Sequence, residues 1–118
     1  MVDRIESATG SVVKQNAPSQ EKVMMSEEEA TFMTELMAAV VTSGTASKLD
    51  GLSYTAAGKT GSAEFSQNKT DSHAWFTGFA PVEDPRICIT VIVESAGSGG
   101  DYAVPIAKRV LDEFFGIN

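Results

Sequence analysis

The sequence predicts an α+β fold: an antiparallel sheet of three main strands plus an N-terminal hairpin, with one helix before the sheet and a C-terminal helix packed on it. Three observations predict it. Residues 26–42 carry apolar side chains at helical spacing behind a helix-start signal. Residues 56–94 hold three apolar or aromatic runs separated by short polar turns, and strands joined so closely must be antiparallel neighbours. Residues 102–118 return to helical spacing and end the chain.

Taken in order, Val2, Arg4/Ile5 and Val12/Val13 flank the turn formers "SATGS", which predicts a β-hairpin; "APSQEK" is a linker, so residues 1–25 read as hairpin and linker. Ser26 with Glu29 three positions on is a capping box, and Glu27, Glu28 and Glu29 suit the positive end of a helix dipole rather than a metal. Ala30, Met33, Leu36, Met37, Val40 and Val41 form a Met-rich stripe expected to be core, and Gly44 ends the helix. "TASKLDGLSY" is a loop. "AAGKTGSAEF", "HAWFTGFAP" and "RICITVIVES" are the three strands. The last is nearly all apolar and is expected to be covered on both faces, with Cys88 a buried thiol. Trp75, Phe76 and Phe79 are expected to pack in the sheet, Glu64 to be solvated, and His73 to be structural. Gly97 to Gly100 read as a flexible connection. In the final helix Pro105 fits the first turn, with Val104, Ala107, Val110, Leu111, Phe114 and Phe115 as the apolar face.

The 118 residues suffice for one domain, and a composition 42% hydrophobic and 21% charged is that of a globular one. A net charge of −7 with scattered cations excludes a nucleic-acid or anionic-membrane surface. One cysteine excludes an internal disulfide. No apolar run approaches the ~18–20 residues of a membrane span, and "MVDRIESATG" is not a signal pattern. The chain is therefore expected to be cytoplasmic, or a piece of a protein that carries its own signal.

The stretch that carries chemistry is "AAGKTGSAEF". Its Gly-Lys-Thr invites a phosphate-loop reading, but that loop needs a glycine where Ser53 stands, and it must open into a helix. "GSAEF" and a polar turn follow instead. The alternative is Lys-Thr-Gly on a strand, a motif of penicillin-binding proteins and serine β-lactamases. Alone that tripeptide usually marks a surface lysine. Its company changes this. "AAVVTSGTASKL", "AAGKTGSAEF", "HAWFTGFAP", "ITVIVE" and "AVPIAKRVLDEFF", in this order, resemble the C-terminal part of the transpeptidase domain of penicillin-binding proteins, from about Ser26 to the end. The wording looks most like the monofunctional class.

The resemblance implies an incomplete penicillin-binding/β-lactamase-like fold and a serine D,D-transpeptidase that cross-links peptidoglycan stem peptides ending in D-Ala-D-Ala. It also implies covalent binding of β-lactams such as penicillin. It implies no metal, no organic cofactor and a parent anchored in the bacterial cytoplasmic membrane with this domain outside. Carried over, Lys59 would lie by the serine of the family's second motif and attract the substrate carboxylate. Thr60 and Ser62 would donate hydroxyls to that carboxylate, and the Ser62 backbone N–H would be an oxyanion-hole donor. Gly61 would let an extended peptide lie close along the strand.

The family's nucleophile belongs to a Ser-x-x-Lys at a helix start upstream. "SVVK" at 11–14, "SQEK" at 19–22 and "SQNK" at 66–69 match the letters, but they read as strand, linker and out-of-order turn. "SQN" at 66–68 is likewise out of order for Ser-x-Asn. The chain is expected to be a fragment that supplies one wall of a site and no nucleophile, inactive alone, with an uncovered strand edge that favours self-association. A serine β-lactamase, a β-lactam-sensing receptor and a non-catalytic interaction module of the same fold remain open alternatives.

Overall fold

A computed structural model describes residues 2–17, 22–64 and 72–117. The elements run β1 (Arg4–Glu6), β2 (Val12–Gln15), α1 (Glu27–Thr42), β3 (Ala57–Glu64), β4 (Ser72–Ala80), β5 (Ile87–Val93) and α2 (Val104–Phe115). A 3₁₀ turn at Ser47–Leu49 and a π-helical turn at Gly99–Ala103 complete the set. β1 and β2 pair antiparallel as a separate hairpin, and the main sheet has the order β3–β4–β5, antiparallel throughout. The α+β class and the order of elements read from the sequence both hold.

The core lies between the sheet and α2. Strand alternation turns Ser72, Ala74, Phe76, Gly78 and Ala80 of β4 inward, where all five are buried. Ala103, Val104, Ala107 and Leu111 meet them, and half-buried Ile87, Ile89, Val91 and Val93 extend the layer along β5. The small side chains of Ala74, Ala80, Ala103 and Ala107 let helix and sheet approach closely. The register explains the first glycine of the Lys-Thr-Gly strand. Gly58 sits opposite Gly78. A β-carbon at Gly58 would fall 2.5 Å from the Phe76 ring, and one at Gly78 2.7 Å from it. The buried ring of Phe76 lies across this glycine pair.

α2 is also tied to the segment that leads into β3. Tyr54 donates its phenol O–H to Asp112 at 2.9 Å and stacks on Phe115 with centroids 4.7 Å apart. Lys108 donates to the other Asp112 oxygen at 2.5 Å. Burial, and then the bond to Asp112, push the Tyr54 phenol well up, and the Lys108 bond holds the Asp112 carboxyl below its ordinary value. A carboxylate whose native pKa is depressed adds stability that is fully present above its unfolded value near 4. That stability is lost as pH falls through the lower native value. Thermal melts between pH 7 and pH 3 are therefore expected to show a smaller acid loss in Asp112→Asn than in the parent chain. Equal losses would remove Asp112 as a contributor.

α1 begins as the capping box requires: Ser26 Oγ accepts from the Glu29 N–H at 3.2 Å, and Glu29 Oε2 accepts from the Ser26 N–H at 2.7 Å. The bonds that the Ser26 N–H and then the Ser26 hydroxyl donate to Glu29 Oε2 hold the Glu29 carboxyl below its ordinary pKa. The expected core stripe is corrected. Only Val41 is buried, while Ala30, Met33 and Leu36 are exposed, because no described element covers the front half of the helix. β5 is likewise an edge strand, not one covered on both faces: Cys88, Thr90 and Ile92 are exposed, and Cys88 is not a buried thiol. In α2, Val110 and Phe114 are exposed with Ile106, so the helix carries an outward apolar stripe besides its inward one. The radius of gyration of 17.3 Å exceeds the roughly 13–14 Å of a compact chain of this length. The hairpin, all of whose strand residues are exposed, contributes to this extension. Gly97 to Gly100 are no plain flexible connection either: Gly99 is fully packed, and the Gly97 N–H donates to the Ser72 carbonyl at 3.0 Å.

Candidate active-site strand

Lys59, Thr60, Gly61 and Ser62 lie mid-strand in β3, opposite Thr77, Phe76, Trp75 and Ala74 of β4. β3 pairs with β4 alone among the described residues, so its other backbone edge is open. The pleat divides the four. Thr60 and Ser62 share a face with Gly58, Ala74 and Phe76, whereas Lys59 and Gly61 share the outer face with His73, Trp75 and Thr77.

Each residue is held differently. Lys59 is exposed and its Nζ donates to the Thr60 carbonyl at 2.5 Å. Thr60 is buried, and its Oγ1 shares a hydrogen bond with Thr45 Oγ1 at 2.5 Å. Gly61 is half-buried against Trp75, whose β-carbon a methyl group there would meet at 3.4 Å. Ser62 is exposed. Glu64 is exposed at the strand end, as expected. Of the aromatics, Phe76 is buried, Phe79 half-buried and Trp75 about a third exposed.

Two further segments reach this strand, and sequence reasoning passed over both. Thr45, in the turn after α1, holds the Thr60 hydroxyl. Lys48, one turn on, donates to the Gly100 carbonyl at 2.9 Å and to Asp101 Oδ1 at 3.3 Å. Gly99 lies against the Gly61–Trp75 pair. The signals in the sequence are a polar loop and a glycine pair, and neither type specifies a contact partner.

His73 Nδ1 accepts from the Ser95 N–H at 3.1 Å, a structural bond that fixes the turn after β5. Ser11 of "SVVK" stands beside an exposed strand, not at a helix start. "SQNK" and "SQN", and all of "SQEK" but Lys22, lie outside the described residues. No group of three or more His, Cys, Asp or Glu among the described residues is arranged to hold a metal. No described helix is long and apolar enough to cross a membrane.

Residues 1–112 match the family described as "Penicillin binding protein transpeptidase domain". The peptidoglycan D,D-transpeptidase PbpA of Mycolicibacterium smegmatis is 30% identical over 119 residues, covering 94% of this chain and 24% of the relative. The chain superposes on Pseudomonas aeruginosa PBP2 with a TM-score of 0.73 at 32% identity, covering 89% of this chain and 24% of that one. It superposes on the penicillin G acyl-enzyme complex of penicillin-binding protein A from M. tuberculosis with a TM-score of 0.68 at 26% identity, covering 93% and 26%. The chain thus spans about a quarter or less of the length of the relatives it matches. A Lys-Thr-Gly segment on an open strand edge, in this order of elements and with these matches, makes the chain a member of the penicillin-binding protein transpeptidase family.

Proposed function

We propose that this chain forms one wall of the active-site cleft of a serine D,D-transpeptidase, in the monofunctional class, whose nucleophile comes from residues beyond this chain. The observation that carries the reading is the placement of Lys59 to Ser62 on the open edge of β3, where an extended peptide can add as a further strand. The stem peptide would lie along the strand edge at Gly61, its terminal carboxylate drawn by Lys59 reaching over that edge and bound by the Ser62 hydroxyl. The buried Thr60 hydroxyl would join by exchanging its bond to Thr45 for one to the carboxylate. The serine Oγ attacks the D-Ala-D-Ala carbonyl, and the oxyanion is held by the Ser62 N–H and a second donor. The C–N bond then breaks, D-Ala leaves with a proton, and an amine of a second stem takes the acyl group and frees the serine. A penicillin would acylate the same serine by opening its lactam. The reading places the domain on the outer face of the bacterial cytoplasmic membrane.

Two mass measurements test it. The chain alone, incubated with penicillin G, is expected to gain no mass. Placed in one polypeptide behind the upstream three-quarters of a relative, it is expected to yield a single stable penicillin adduct. An adduct on a serine of the isolated chain, or a folded hybrid that takes no penicillin, overturns the reading. Fast release of the hydrolysed drug would favour the β-lactamase alternative.

The open outer edge of β5, with Ile92 exposed beside it, supports a second part of the proposal: the isolated chain self-associates by strand pairing. Light scattering across a hundredfold concentration range is expected to show a rising mass. A monomer throughout would end this part of the proposal.

A further inference from the structure

We infer that Gly99 is a positioning residue for the oxyanion donor, a step that rests on the function proposed above. A β-carbon built at Gly99 would fall 2.3 Å from the Trp75 carbonyl oxygen, 2.6 Å from that of Gly61 and 3.0 Å from the Gly61 nitrogen. All three are backbone atoms, so no side chain can swing aside. The turn at Gly99 therefore rests directly on the backbone where β3 and β4 meet at Gly61 and Trp75.

The Gly61 carbonyl and the Ser62 N–H belong to one planar peptide unit and point in opposite directions. Whatever fixes that carbonyl also fixes the aim of the Ser62 N–H. Oxyanion donors act within a few tenths of an ångström of their target distance, so a small tilt of this one peptide matters more than its cost in stability would suggest.

The turn cannot easily lift away. Lys48 Nζ ties Gly100 and Asp101. The Gly97 N–H and carbonyl bond the carbonyl and hydroxyl of Ser72. Gly100 packs on the Thr45 carbonyl, where a β-carbon would approach to 2.6 Å. Thr45 in turn holds the Thr60 hydroxyl. Consecutive residues of β3 are thus set by two neighbours: Thr60 by Thr45, and Gly61 by Gly99. An added methyl at residue 99 must push on the strand, since the turn is anchored on both sides.

The test reads the backbone first and the chemistry second. In the isotopically labelled chain, Gly99→Ala is expected to shift the amide resonances of Gly61, Ser62 and Trp75. Their hydrogen exchange should speed by about tenfold, with the first turns of α1 unchanged. Changes confined to residues 97–103 overturn the clamp. Should Gly99→Ala unfold the chain, Lys48→Met decides: it adds no atom to the contact and should move the same Gly61 and Ser62 resonances by less. Their failure to move overturns the proposal.

In the penicillin-labelled hybrid, Gly99→Ala is expected to lower the limiting acylation rate by roughly 30-fold. The half-saturating penicillin concentration should stay within about twofold, because the oxyanion bond is made only in the transition state. A change in half-saturation alone would mean that Gly99 shapes the carboxylate pocket instead, and would overturn the positioning role. A parent hybrid that takes no penicillin ends the functional reading, while the amide measurements still decide the contact.

Discussion

A Phe76→Ala chain is expected to lose about 3–5 kcal/mol of unfolding free energy, read as a lower urea midpoint. Phe76 is 1% exposed and is the largest fully buried side chain among the described residues. Its ring spans the Gly58–Gly78 pair and belongs to the buried cluster that the sheet shares with α2. The two residues shown against its ring, Gly58 and Gly78, have no side chain with which to refill the space. Against a typical domain stability of about 5–15 kcal/mol, the loss takes a large share of what holds β3 in place. The glycine pair gives the claim an internal check. Gly58→Ala alone should destabilise, because its methyl would meet Phe76 ring atoms at 2.5 Å. In a Phe76→Ala background most of that cost should vanish, leaving the 2.8 Å approach to the Thr77 carbonyl. The two substitutions are therefore expected to be strongly non-additive. Strict additivity, or a Phe76→Ala loss under about 1 kcal/mol, would show that the ring does not fill the gap the glycines leave.

The same pair of residues shows what the sequence could and could not disclose. Lys-Thr-Gly on a strand was legible, because the runs on either side fixed strand type and the short turns fixed the antiparallel order. The reason for Gly58 was not, since it depends on a ring eighteen positions along the chain that only the β3–β4 register brings to it. The capping box at Ser26 and Glu29 was legible because both partners lie within one helical turn. The burial of the helix behind it was not. A stripe at 3.6-residue spacing says which face is apolar, and it is silent on whether anything covers that face. Met33 and Leu36 carry the right pattern and stand exposed; Cys88 and Ile92 do the same on β5.

At the site the limit has a different cause. Side-chain types named Lys59, Thr60, Gly61 and Ser62, but the contacts that hold them are made largely by backbone. Thr45 and Gly99 come from loops on opposite sides of β3 in the chain, and a glycine that permits close approach is written with the same letter as one that permits motion. Gly99 and Gly100 read as slack and fold as packing. Only the packing in the fold separates the two.

The second large effect concerns Lys59. In the penicillin-labelled hybrid, Lys59→Met is expected to slow acylation by about 10²–10⁴-fold, the range of a positioned proton-transfer group. It should also weaken initial binding by roughly tenfold or more, as loss of a charge-assisted bond to the carboxylate requires. Lys59→Arg separates these contributions. Arginine keeps a cation within reach of the carboxylate but does not give up its proton. The arginine variant should therefore recover most of the half-saturation and little of the limiting rate. Lys59 stands on the outer face of an edge strand, and its present bond to the Thr60 carbonyl is one an approaching serine could replace. His73, the chain's single histidine, already accepts from the Ser95 N–H through Nδ1, so it offers no substitute on that nitrogen. Full recovery of both constants by arginine would reduce Lys59 to a fixed charge. An unaffected methionine variant would move the chemistry off this strand altogether, and the proposed function with it.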